Sequence, residues 1–292
     1  MPDYKEQAAR FAATLIKPGM TVGLGHGRTM LHLAETLAGD GSLASTLRFV
    51  SSSAETEKIL AGLGLHVGPL SAEARLDLYF DGCDQFDQDL NALKSGGGIH
   101  TMEKITAAMS DGFVLVGDEG KFSPALTGQY PVVLEVVPAA ITFIMHNLSL
   151  QYPGATIQLR QTETGPALTL RGNPLLELKF EQLPAPGPLN TSLKMIAGVI
   201  EHSLFYRMAT KAVIAGPSEQ RSCTRPIPHN HPWCFTFPPA RPSNTRCLVL
   251  SWPFIAHPRT INLRCCFNFE TFCLKNIIPG LPDGATLQLS PQ

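Results

Sequence analysis

DGCDQFDQDLNALKSGGG, residues 81–98, packs four aspartates, one lysine and three consecutive glycines into eighteen residues. The run before it, LDLYF, is apolar in the manner of a buried strand. The run after it, IHTMEKITAAMS (99–110), carries apolar residues at helical spacing. The acidic stretch is therefore a loop at the carboxyl end of a strand, which is where parallel α/β sheets hold their ligands. Asp81 closes the strand, Asp84 follows one turn later, Lys94 precedes the glycines, and Glu103 lies one turn into the helix. Two readings fit those four residues. One is a capped, ion-paired turn. The other is a set for moving a proton beside a carbonyl: a carboxylate takes the carbon-bound proton, a cation holds the oxygen that becomes negative, and a second carboxylate shuttles hydroxyl protons. Asp87 and Asp89 read as solvated loop charges.

Outward from this stretch, strand and helix signals alternate. Residues 5–16 are helical in period and stop at Pro18-Gly19; MTVGLG (20–25) reads as a buried parallel strand, and RTMLHLAETLA (28–38) as a helix. LRFVSSS (47–53) reads as strand then loop, Thr56 to Leu63 as helix, LHVGPL as a strand, and GFVLVGDEG as another. The alternation predicts an α/β fold, a Rossmann-like parallel sheet with helices on both faces. From about Tyr130 the rhythm changes. VVLEVV, a helix over 138–149, the runs TIQLRQ, ALTLRG and LLELKF, and a helix at about 189–196 predict a small α+β subdomain. VIEHSLF and KAVIAG then return the chain to the first sheet. The expected organisation is an α/β domain of residues 1–129 and 198–216, a subdomain of 130–197, and a tail of 217–292.

That tail holds half of the 24 prolines, six of the 7 cysteines and both tryptophans, with no sustained period. It reads as poorly ordered or accessory: either an added module or the kind of sequence that another reading frame yields. Its Cys223, His229, His231 and Cys234 do not have the paired spacing of a zinc site, and His32, His66, His100 and His202 share no ligand spacing. A formal net charge of -1 gives no sign of a nucleic-acid or anionic-membrane partner. The first residues lack the apolar core of a signal peptide, and the most apolar run, VVLEVVPAAITFIM, is interrupted by Glu135 and Pro138. A soluble, cytoplasmic protein is expected.

Two further loops follow strands. GLGHGRT (23–29) opens a helix; its glycines suit either a phosphate cradle or a tight strand–helix turn. It lacks the spacing of a dinucleotide fingerprint. In SSSAET (51–56), Ser53 is a helix cap or one of several hydroxyl donors.

Together these stretches resemble the type A ribose-5-phosphate isomerases. The resemblance rests on VGLGHGRT (22–29), SSSAET, the 81–98 stretch, MEKI (102–105), VLVGDEGKF (114–122), VVLEVVP (132–138), RGN (171–173) and AGVIEHSLF (197–205). They run in family order over residues 1–216, and the succession D-G-x-D, K-x-G-G-G, E-K is its most specific part. The resemblance implies an aldose–ketose isomerase acting on a pentose phosphate, a homodimer or tetramer, with no metal or organic cofactor. It implies Glu103 as general base, Asp81 and Asp84 as acids for ring opening and hydroxyl protons, and Lys94 as stabiliser of the enediolate oxygen. Substrate contacts are implied for Lys5, Gly27, Arg28, Thr29, Gly96, Gly97 and Lys121. The chain departs from the family where G-T-G-S-T becomes Gly25-His26-Gly27-Arg28-Thr29, where Ser95 replaces a glycine, where Cys83 replaces an alanine, and where T-D-N-G-N becomes Thr169-Leu170-Arg171-Gly172-Asn173. Alternatives are a non-catalytic or decayed sugar-phosphate-binding protein of the same fold, and a relative of the acyl-CoA transferases.

Overall fold

The computed structural model describes residues 3–217, 220–224, 246–250 and 263–267. The chain divides into two compact units, residues 1–227 and 228–292. In the first, a six-stranded sheet runs in the order Gln220–Thr224, Lys211–Ala215, Ser110–Asp118, Leu76–Asp81, Thr21–Leu24, Arg48–Ser51. The last five strands are parallel, and Gln220–Thr224 pairs antiparallel with Lys211–Ala215.

Strand alternation splits the apolar side chains between two cores. Val22, Leu24, Phe80, Val114, Val116, Val213 and Ala215 face one side, where the helices Tyr4–Ala13 and Arg28–Ala38 bring Ala8, Ala12, Met30 and Leu33 against them. Their strand neighbours Tyr79, Phe113, Leu115, Ala212 and Ile214 face the other, with Phe205 and Ala107 of the helix His100–Met109. A sheet buried on both faces reads as near-continuous apolar runs, which is how these strands appear in the sequence. Gly23 is the exception on the second face. It sits opposite Tyr79 in the parallel register, and a Cβ there would lie 2.9 Å from the tyrosine ring.

Residues after 130 build an antiparallel sheet in the order Val199–His202, Val132–Val136, Leu175–Lys179, Thr156–Leu159. The helices Ile141–Gln151 and Pro186–Lys194 close its core with Ile144, Leu148, Leu189 and Leu193.

The structure corrects several expectations. ALTLRG forms no strand: it contributes one bridge, Leu168 to Pro174, and turns at Gly172 (φ 77°), leaving Leu170 exposed. LHVGPL contributes only a bridge from Val67 to Phe49, because Pro69 has no N–H with which to extend a ladder. VIEHSLF divides between two sheets: Val199–His202 joins the small sheet, and Leu204–Phe205 pairs with Ala92–Leu93. Asp87 is not solvated. It is buried and accepts from the Asp89 and Asn91 backbone N–H groups and the Asn91 amide, closing a turn in which Leu90 adopts φ 59°. The sheet does not end before residue 217, since Gln220–Thr224 is one of its strands. In the second unit Arg246–Leu250 pairs antiparallel with Leu263–Phe267. His229, His231, Cys234 and the rest of the expected tail lie outside the described residues.

A chain ending at Gly216 leaves Lys211–Ala215 as an open edge. It is expected to melt at least 2–4 °C below a chain ending at Ile227, the shift that about 1 kcal/mol produces at this size, and to self-associate on gel filtration. Identical melting curves and elution would show that the added strand contributes nothing.

Candidate active site

Three elements converge at the carboxyl edge of the main sheet. Asp81 ends a central strand and is fully buried. The Lys94 ammonium lies 2.8 Å from its Oδ2 and 3.3 Å from Oε1 of Glu103, and also donates to the Gly82 carbonyl. Asp81 accepts further from Tyr79 Oη (2.6 Å), the Gly82 N–H (2.8 Å) and the His26 N–H (3.3 Å). Gly25 makes this arrangement possible: a Cβ there would fall 1.9 Å from the Asp81 carboxyl carbon. Gly23 and Gly25 of the GLGHG run thus make room for neighbouring side chains. Gly27, at φ 107°, starts the helix Arg28–Ala38, and no side chain caps that start. The first N–H groups of such a helix have no intrahelical partner and favour an anion.

One cation cannot neutralise two buried carboxylates, and the excess proton belongs with Glu103, which has fewer donors. Burial pushes the Glu103 carboxyl up to about 8; Lys94 opposes that rise and the charge of Asp81 adds to it. Burial works against the Lys94 charge, but Asp81 and Glu103 outweigh it and hold the ammonium above the usual lysine range. Burial also pushes the Cys83 thiol up to about 12, so it stays neutral.

The loop and helix that present Lys94 and Glu103 are fixed from several sides. Asp84 Oδ2 accepts from the N–H groups of Ser95 (2.5 Å) and Gly96 (3.2 Å). From the small sheet, Arg160 donates to the carbonyls of Ser95 (2.6 Å) and Gly96 (3.0 Å) while paired with Glu177 at 2.7 Å. The Ser95 hydroxyl donates to the Pro131 carbonyl at 2.5 Å. Gly98, at φ 66°, has Leu175 packed where a Cβ would stand. The glycine run is a clamped loop. On the helix, Thr101 donates to the buried Glu135, which also accepts from Thr169 (3.0 Å) and Asn173 (2.7 Å). Burial would raise the Glu135 carboxyl, but these three donors hold it below the ordinary range. Lys104 pairs with Glu201 at 2.9 Å and donates to the Leu204 carbonyl. Glu103 therefore sits between two anchored neighbours.

A cleft of about 210 Å³ opens onto this corner, lined by Asp84, Lys94, Gly96, Gly97 and Glu103 on one side and Lys5, Gly27, Arg28, Thr29 and Lys121 on others. The seven residues expected as substrate contacts, with Asp84, Lys94 and Glu103, thus border one space. Asp81 does not border it; it stands behind Lys94. Arg28 is on the rim, two-thirds exposed, its guanidinium paired with Asp3, which also caps the helix Tyr4–Ala13 through the N–H groups of Lys5 (3.0 Å) and Glu6 (3.3 Å). Ser53 is a cap, accepting from the Thr56 N–H at 3.4 Å, and its hydroxyl lies 3.3 Å from His26 Nδ1. Sequence reading missed Tyr79, Ser52, Arg160, Glu135 and Asp118 of the cleft wall. Only Tyr79 was signalled, standing two residues before Asp81 and so on the same strand face.

Residues 48–219 match the sequence profile of the family Ribose 5-phosphate isomerase A (phosphoriboisomerase A). The chain belongs to that family. A ribose-5-phosphate isomerase A from Lactobacillus delbrueckii subsp. bulgaricus is 35% identical over 225 residues, covering 75% of this chain and 96% of the relative. A solved D-ribose-5-phosphate isomerase in complex with phospho-erythronic acid superposes with a TM-score of 0.71 at 28% identity, over 76% of this chain and 98% of that one. The ribose 5-phosphate isomerase A of Methanocaldococcus jannaschii gives 0.70 at 27% identity, over 76% and 98%. The parallel sheet and its helices are the fold of these phosphoriboisomerases.

Gly25→Ala is expected to displace the Asp81 carboxylate and abolish turnover in an assay of pentose phosphate interconversion; activity within about twofold of the parent would refute the packing constraint. Arg28→Ser is expected to raise KM about fivefold with kcat unchanged, the size of a screened contact of about 1 kcal/mol, with the gap narrowing as salt is added. A lower KM would mean that Arg28 obstructs the cleft.

Proposed function

We propose that this cleft is where the chain interconverts D-ribose 5-phosphate and D-ribulose 5-phosphate through an enediolate. The observation that carries the reading is the Lys94 ammonium held 3.3 Å from Glu103 and 2.8 Å from Asp81 at the cleft floor. The phosphate group sits against the uncapped helix start at Gly27–Thr29 with Lys5 and Arg28 beside it. The open-chain aldose then reaches toward Glu103. The Glu103 carboxylate takes the proton from C2, the C–H electron pair becomes the C1–C2 double bond, and the carbonyl pair moves to O1. Lys94 faces the oxygen that becomes negative. The same Glu103 returns the proton to C1, while the O2 proton passes to O1 through Asp84, which borders the cleft. No electron enters or leaves, so no oxidant is required. Asp81 serves from behind as the counter-ion that aims Lys94.

The environment of Glu103 suits this work. Its carboxyl, pushed up by burial, is a stronger base once ionised than an exposed glutamate. Lys94 and Glu103 are each under a tenth exposed, which keeps water from competing for the developing charge. We further read the chain as a homo-oligomer, supported by the exposed Phe143 and Leu150 on the helix Ile141–Gln151, and as a cytoplasmic protein, where the free Cys83 stays reduced.

Glu103→Gln is expected to lower kcat by about 10² or more with KM little changed, because the amide keeps the shape but takes no proton. Turnover within about threefold of the parent would remove Glu103 from this role. In the parent, the active form is the carboxylate, so kcat/KM is expected to rise with pH through a midpoint near 8. A rate profile between pH 4 and 10 with its limb in the ordinary carboxylate range would contradict the assignment.

A further inference from the structure

Behind the cleft floor runs a buried chain of polar atoms whose far members, Tyr79 and Ser52, the proposed reaction does not itself use. Tyr79 Oη lies 2.6 Å from Asp81 Oδ2 and 3.0 Å from Ser52 Oγ. Asp81 Oδ2 is also the oxygen that Lys94 meets at 2.8 Å. The tyrosine is fully buried, and its ring stacks on Phe113 with centroids 5.1 Å apart. The direction of the chain follows from donor counting. A phenol has one proton, and a charged carboxylate accepts it in preference to a hydroxyl. Ser52 is then left to donate to the phenol oxygen. Burial first, and then the charges of Asp81 and Glu103, push the phenol well above its ordinary range, so it remains a donor at any working pH.

We infer that Tyr79 is a positioning residue for this reaction: its hydroxyl, itself held by Ser52, locks the Asp81 carboxylate in the orientation that presses Lys94 toward Glu103. The inference rests on the reading of Lys94 and Glu103 given above. Asp81 needs such a lock because its carboxylate is drawn several ways. The Gly82 and His26 N–H groups hold Oδ1, and the phenol is the neutral donor that shares Oδ2 with Lys94. A lysine cannot be aimed by a group that is free to follow it. The charged and titratable groups facing this corner are Lys94 from the loop, Asp81 and Tyr79 from the strand, Glu103 from the helix, and Cys83 and Asp84 at the loop's start. Among these, the phenol is a neutral donor aimed at the carboxylate. Room for its ring exists because residue 23 on the adjacent strand is glycine.

The test is Tyr79→Phe, which removes one oxygen and keeps the stacked ring. Steady-state kinetics on pentose phosphate interconversion are expected to show kcat about tenfold lower with KM within about twofold, the loss of one hydrogen bond to a charged group. Circular dichroism and the elution volume should match the parent. A role in packing alone would lower the melting temperature and leave kcat of the folded fraction unchanged, and that result overturns the inference, as does kcat within twofold of the parent. If Tyr79→Phe does not fold, Ser52→Ala decides: kcat two- to threefold lower at unchanged KM supports the lock, and parental kcat refutes it. Failure of the underlying reading is told apart by Glu103→Gln. If that variant is active, the reaction is assigned to the wrong residues. If it is inactive while Tyr79→Phe behaves as the parent, only the lock is wrong.

Discussion

A single ammonium buried between two carboxylates governs the architecture of this protein. Each buried ion costs several kcal/mol of desolvation, and the cost is offset only where geometry is tight and remaining hydrogen-bond capacity is filled. Lys94, Asp81 and Glu103 come from a loop, a strand and a helix, so the set exists only while all three are in register. Removing Lys94 would leave the buried Asp81 carboxylate without its cation, a cost of about 3–5 kcal/mol. That is a large share of the roughly 5–15 kcal/mol that holds a whole domain together. The layout of the proposed site and the stability of the fold therefore rest on the same contacts.

The small antiparallel sheet takes its place in that scheme. Arg160, just past one of its strands and paired with Glu177 of the next, donates to the carbonyls of the glycine loop, and Glu135 from its centre accepts from both the start of the Glu103 helix and the turn at Thr169–Asn173. The subdomain acts as a clamp on the loop and helix that carry Lys94 and Glu103. This accounts for the RGN stretch: Asn173 reaches the buried Glu135 carboxylate, which does not line the cleft, and Gly172 supplies the positive φ that the turn needs.

How much of this was legible in the sequence follows from what kind of relation each feature depends on. The parallel sheet was legible because strands buried on both faces leave apolar runs that no surface strand would carry. Asp81, Asp84, Lys94 and Glu103 were legible because chemistry-bearing types gather at one strand end and on the next helix. Ser52 escaped because its partner Tyr79 lies across strands, and sequence gives no register between parallel neighbours; Tyr79 was overlooked although its place two residues before Asp81 puts both on one strand face. Asp87 was misread for the opposite reason: loop aspartates are usually solvated, and only the Leu90 turn shows that this one is enclosed. ALTLRG was misread because alternation alone does not reveal a positive-φ glycine at its end. The glycines of GLGHG suited either an anion or a tight turn in the sequence, and two of them make room for side chains of the strand beside them.

The fit of Gly23 against Tyr79 ties two strands together in evolutionary time. Bulk at that level of the sheet belongs to one position or the other. A side chain gained at residue 23 would press on the ring of residue 79 first, and on Leu76 and Thr106 next, and making room by shrinking residue 79 would give up the phenol behind Asp81. A lineage that keeps the tyrosine is committed to glycine. The two sites, more than fifty positions apart in the chain, share one space.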